Sequence, residues 1–164
     1  MQSIILIAHN LRSCHNVGSL LRTAEGLGIN KVFLTGYTPY PLRSDDTRMP
    51  HMANKLDFQI HKTALGAEKL VDWVYDENIS NVINSLKSEG YQIAALEQTN
   101  NSVALPTFNP SDKIALILGR EVEGMEADVL KQCAVVLEIP MAGKKESFNV
   151  VQAAAMALYQ FKYG

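Results

Sequence analysis

Two short runs of consecutive apolar residues, Ile4–Ala8 and Ile114–Leu118, constrain this chain most. A strand with one wet face alternates apolar and polar residues; these runs do not. They read as strands buried on both faces, the situation of a parallel sheet covered by helices. With their flanking residues they form the strand segments Ser3–Ala8 and Lys113–Leu118, and these, with Lys31–Thr35, Leu70–Tyr75, Tyr91–Leu96 and Val135–Ile139, are separated by segments with helical spacing. Asn16–Gly28 carries Val17, Leu20, Leu21, Ala24 and Leu27 at that spacing, with Asn16 as a capping residue and Gly28 as a stop. Ile79–Ser88, Ala127–Cys133 and Phe148–Phe161 read as further helices. Residues 36–52 hold Pro39, Pro41 and Pro50 and read as a long loop, as does the polar stretch 100–110. The rhythm predicts an α/β fold, a mostly parallel sheet with helices on both faces, in one domain over residues 1–164. Ligands of such sheets bind beyond the carboxyl ends of the strands.

No apolar run approaches membrane-spanning length, and no cleavable apolar leader opens the chain. The expected compartment is the cytoplasm. Cys14 and Cys133 are too few for a disulfide framework. The net charge of −2 argues at first against a nucleic-acid partner. It averages two unlike parts, however. Residues 1–62 carry seven Lys/Arg against four Asp/Glu, a net +3, and all four histidines; residues 63–164 carry eight against thirteen, a net −5.

General nucleotide motifs fail. Gly26-Leu27-Gly28 ends a helix instead of opening one, and Met125-Glu126 stands where a phosphate-binding loop needs Lys-Ser/Thr. No His/Cys cluster has metal-ligand spacing, so no metal is expected. Cys14-His15 are adjacent and do not face each other as nucleophile and base would. Three segments at strand ends do converge polar groups: 10–24 with Asn16 and Arg22, 118–125 with Gly119, Glu121 and Gly124, and 139–150 with Ser147 and Asn149.

These three segments resemble the motifs of the SpoU/TrmH family of SPOUT-class RNA 2′-O-ribose methyltransferases. Asn16 to Arg22 is similar to the first, Gly119-x-Glu121-x-x-Gly124 to the second, and Ile139-Pro140-Met141 through Glu146-Ser147-Phe148-Asn149-Val150 to the third. Phe148 stands where the family has Leu or Met. The resemblance implies a C-terminal deep trefoil knot, a homodimer and S-adenosyl-L-methionine as cofactor. Leu96, Gly119, Gly124, Ile139, Met141, Ser147 and Phe148 would hold that cofactor. Asn16, Arg22, Glu121, Ser147 and Asn149 match its catalytic positions. The substrate would be structured RNA, tRNA or rRNA, and the chain carries no RNA-binding extension by this reading. RNA would then meet the catalytic domain itself, with Arg12, Arg43, Arg48, Lys55 and Lys62 as candidate phosphate contacts. Two rivals predict otherwise: a catalytically silent RNA-binding or assembly protein on the same fold, and a small-molecule methyltransferase on a flavodoxin-like sheet.

Overall fold

The computed structural model describes residues 2–164. Seven strands form one wholly parallel sheet in the order β3-β2-β1-β6-β4-β7-β5. In chain order they are β1 (Ser3–His9), β2 (Lys31–Thr35), β3 (Trp73–Asp76), β4 (Gln92–Leu96), β5 (Val103–Ala104), β6 (Lys113–Leu118) and β7 (Val135–Glu138). The two apolar runs that open the sequence argument, β1 and β6, pair in register at the sheet's centre, Ile4 beside Ile114 through Ala8 beside Leu118. The alternation of side chains along β1 sorts the core into two halves. Ile4, Leu6 and Ala8 face α1 (Cys14–Gly26), α2 (Pro50–Ala64) and α5 (Val150–Tyr163); Ile5 and Ile7 face α3 (Ile79–Ser88) and α4 (Ala127–Leu130). Full burial of side chains such as Leu6, Ile7 and Leu116 contributes about 1.5–3 kcal/mol each.

Three elements differ from the expectation, the least of them β5, a two-residue strand inside the stretch 100–110 that reads as loop. α2 occupies part of what reads as loop. Pro50 is its first residue, where the missing N–H costs nothing, so that proline starts a helix instead of barring one. α1 begins two residues earlier than Asn16, because Ser13 is its cap and accepts the N–H of Asn16 through Oγ (3.1 Å). That frees the Asn16 side chain for other work. α1 and α2 cross closely at Gly18: a Cβ there would lie 2.2 Å from the Ile60 carbonyl and from Thr63 Oγ1. No helix of the described residues is long and apolar enough to cross a membrane.

Candidate active site

The order β6-β4-β7 sets three carboxyl ends side by side, and the chain leaving each one lines the same cavity. Its volume is about 290 Å³. Leu96, Leu118, Ile139, Phe148 and Val150 supply apolar walls; Glu97, Glu121, Glu138 and Glu146 supply carboxylates. Gly119, Gly124 and Ser147 also line it. Of the expected cofactor residues only Met141 does not. Of the expected catalytic residues, Glu121 and Ser147 line the cavity, and Asn16, Arg22 and Asn149 do not.

The floor is the 119–125 turn, and its shape is held by named contacts. Arg120 Nε donates to the Gly124 carbonyl across the turn (2.9 Å). Glu97, just beyond β4, accepts the Met125 N–H through Oε2 (2.9 Å) and the Gln98 N–H through Oε1 (2.9 Å). Gly124 sits at φ +73°, and a Cβ on it would lie 2.8 Å from the Glu97 carboxylate. No motif flags Glu97, since its partner is 28 residues away. Opposite the floor, residues 142–149 are all exposed. Asn149 caps α5, its Oδ1 accepting the Val151 N–H (2.9 Å).

Glu121 ties the floor to the start of α1. Its carboxylate accepts Asn16 Nδ2 (3.3 Å) and, at 3.4 and 3.5 Å, the backbone N–H groups of Arg12 and Ser13. The first and second motifs therefore meet. A part-buried polar seam lies beside them. Asn10, at φ +55°, accepts the Tyr37 N–H through Oδ1, so its amide nitrogen must face His9 Nε2 (3.2 Å) and Glu126 Oε1 (2.7 Å). An N–H donor at Nε2 places the His9 proton on Nδ1, which donates to Thr35 Oγ1 (2.9 Å). Burial lowers the His9 pKa against the pull of Glu126, so the ring is neutral near pH 7. Burial pushes the Glu126 carboxyl up, but its own N–H, Asn10 and His9 overcome this and hold it below the usual range.

Arg22 lies elsewhere. It is exposed on α1 in a groove that it shares with Ser19, Thr23, Lys62, Thr63 and Val151. The five expected phosphate contacts divide sharply. Arg48 is spent on its own loop: it binds Asp46, donates to the Tyr40 and Pro41 carbonyls (3.0 Å each) and stacks on the Tyr40 ring (3.6 Å). Arg43 stacks over Tyr40 (4.9 Å) and lies 3.8 Å from Asp45. Arg12 pairs with Glu123 (2.9 Å). Lys55 and Lys62 stand exposed on α2.

Residues 3–159 match the model of the SpoU rRNA Methylase family. A Staphylococcus aureus protein assigned to the TrmH family of tRNA/rRNA methyltransferases is 30% identical over 158 residues, 96% of this chain and 58% of the relative. A Staphylococcus epidermidis protein of the same assignment is 29% identical over 96% of this chain and 57% of the relative. This chain thus spans less than three-fifths of the length of these curated relatives. An AdoMet-bound rRNA methyltransferase from Sinorhizobium meliloti superposes with a TM-score of 0.80 at 21% identity, over 97% of this chain and 55% of that one. A structure solved for 2-OH methylation of C/U34 on tRNA does so with a TM-score of 0.76 at 22% identity, over 98% and 94%. At these identities the two structures establish the fold.

Proposed function

The chain belongs to the SpoU rRNA Methylase family, and from that premise we propose that it methylates a ribose 2′-hydroxyl of tRNA or rRNA with S-adenosyl-L-methionine. One observation carries the reading: the second- and third-motif residues of the family converge on a single cavity at three adjacent strand ends. The cavity's chemistry fits that cofactor. Leu96, Leu118, Ile139 and Phe148 offer apolar faces to a purine, and four carboxylates favour a ligand bearing sulfonium and ammonium charge. When bound, the cofactor supplies a methyl group on a cationic sulfur, a good leaving group.

The chain's own residues must then align the hydroxyl and help it lose its proton. Glu121 orients: its oxygens are engaged by Asn16 and the Arg12 and Ser13 N–H groups, so it holds the first motif against the cavity. Ser147 lines the mouth beside Phe148 and can accept or donate to the ribose. Arg22 acts as a cation and not as a base, since a guanidinium offers only N–H donors and accepts no hydrogen bond. Its role is to grip a phosphate and stabilise the developing alkoxide, while the proton leaves to phosphate or water. Arg22 does not line its own chain's cavity, and we propose that two copies pair so that the Arg22 of one serves the cavity of the other. Each complete site then needs two copies.

The test is incubation with methyl-labelled S-adenosylmethionine and total cellular RNA, followed by digestion to nucleosides. Label in 2′-O-methylated nucleosides is the expected result. Cofactor and RNA binding without transfer favours the silent RNA-binding protein; transfer that ignores RNA favours a small-molecule enzyme.

A further inference from the structure

The outer face of α2 carries Met52, Lys55, Phe58, Lys62 and Leu65, spaced three, three, four and three residues apart. Such spacing sets them in one line along a helix and onto its C-terminal cap residue. All five are exposed; Met52 is 47%, Phe58 63% and Leu65 61% accessible. The line alternates apolar surface with cations, and Lys62 Nζ sits 4.9 Å from the Phe58 ring centre. Among the described residues no carboxylate pairs with Lys55 or Lys62. Asp57, the acid of this helix, accepts the Leu42 N–H (2.8 Å), and Glu68, below the helix end, is bound by His61 and the Gly66 N–H. Lys62 and Leu65 also border the groove that holds Arg22, so the line ends at the residue that is to meet the reacting nucleotide.

We infer that this face of α2 is the platform on which the RNA strand is laid as it approaches Arg22, with one base stacked on Phe58 and the flanking phosphates on Lys55 and Lys62. The inference rests on the RNA methyltransferase reading. Aromatic rings flanked by cations bind single strands without regard to sequence, through the π-face that every base has. The two lysines lie about 10 Å apart along the helix, by its rise of about 1.5 Å per residue. The same stripe of a second copy is a poor occupant, although the groove at its Arg22 end is to meet a partner's cavity. Self-pairing of the stripe would set lysine against lysine, whereas an RNA backbone neutralises both. A lipid surface fits poorly too, because the cations interrupt the apolar line instead of flanking it.

The test uses the full chain and a fluorescein-labelled oligouridylate, with affinity followed by anisotropy over a salt series. Lys55→Glu with Lys62→Glu should lower the slope of log affinity against log salt by about 1.4, at about 0.7 per single-strand phosphate contact. Phe58→Ala should weaken binding about tenfold with the slope kept, and Phe58→Tyr should restore it. S-adenosylmethionine affinity, measured by calorimetry, should stay unchanged in all of them. Unchanged RNA affinity and slope in both variants overturns the platform, as does a change of oligomeric state on sedimentation, which would assign the stripe to contact between copies. If the wild-type chain methylates RNA while the variants bind it normally, the platform alone falls. If the wild-type chain transfers no methyl to RNA, the methyltransferase reading falls instead.

Discussion

The strand-end cavity and the α1–α2 face differ in the charge they present. Four carboxylates border the cavity, and Arg120, its one lining cation, is tied to the Gly124 carbonyl and lies 3.7 Å from Glu126. The α1–α2 face holds Arg22, Lys55 and Lys62, and among the described residues no carboxylate pairs with them. The difference teaches a division of labour: a cationic cofactor suits the first region and a polyanion the second. It also shows how a chain of net charge −2 can still present a basic face. The seam of His9, Asn10 and Glu126 lies between the two regions, and the Glu121–Asn16 contact links the cavity to α1.

If the regions are separable, damage to one must spare the other. The largest effect is expected from Gly124→Val, which places a branched side chain at φ +73° against Glu97. Calorimetry should show S-adenosylmethionine affinity reduced at least a hundredfold, with oligouridylate affinity intact. Arg22→Ala should lower single-turnover methylation by about 10²–10³, the cost of losing one charge-stabilising donor, with cofactor affinity unchanged. Arg22→Lys should recover part of that rate, and its pH–rate profile should match wild type on the basic side. A basic limb near neutrality that requires arginine would contradict a charged role.

Gly18→Ala breaks the second region alone. Its Cβ would overlap the Ile60 carbonyl, so the helices must part, at about 1–3 kcal/mol of stability in chemical denaturation. Methylation should fall while cofactor affinity holds. A smaller effect concerns the seam. His9 has its pKa lowered by burial, so the unfolded chain binds its proton more tightly. Stability from this group is fully present above about pH 6.5 and is lost as pH falls below that toward its folded value. Glu126, also lowered, adds a second loss below about pH 4.5. Urea midpoints should therefore decline in two stages on acidification, and His9→Asn should remove the first. A last check, silent on both regions' function, is at Cys133, whose thiol is pushed by burial up to about 11 from 9.0. At pH 8 its thiolate fraction, and hence its alkylation rate in the folded chain, should be about a hundredfold below that of a free cysteine.

Much of the first region was legible in the sequence. β1, β4, β6 and β7 announce themselves as apolar runs, and the motif residues follow directly from their ends. The second region was not. The buried face of α2 is only Ala53, Ile60 and Ala64, small or sparse residues that give weak periodicity, and Pro50 reads as a breaker until its place at the first turn is known. Ser13 and Asn16 are both capping residue types, so pattern alone could not choose between them. β5 has two residues and no signal of its own. Arg48 looked available for phosphate, yet Asp46 two positions earlier was a visible hint that it would be consumed locally. Glu97 and Gly18 act through backbone atoms distant in the chain, which no local pattern encodes.

The most direct measurement is complementation between two inactive chains. Arg22→Ala keeps an intact cavity, and Gly124→Val keeps an intact Arg22. Mixed after brief unfolding and refolding together, they should recover methylation in the hybrid fraction, because one cavity there meets a functional Arg22 from its partner. No recovery in hybrids shown to form and to bind S-adenosylmethionine would mean that Arg22 serves its own chain's cavity, and the proposed sharing of the site between copies would be wrong.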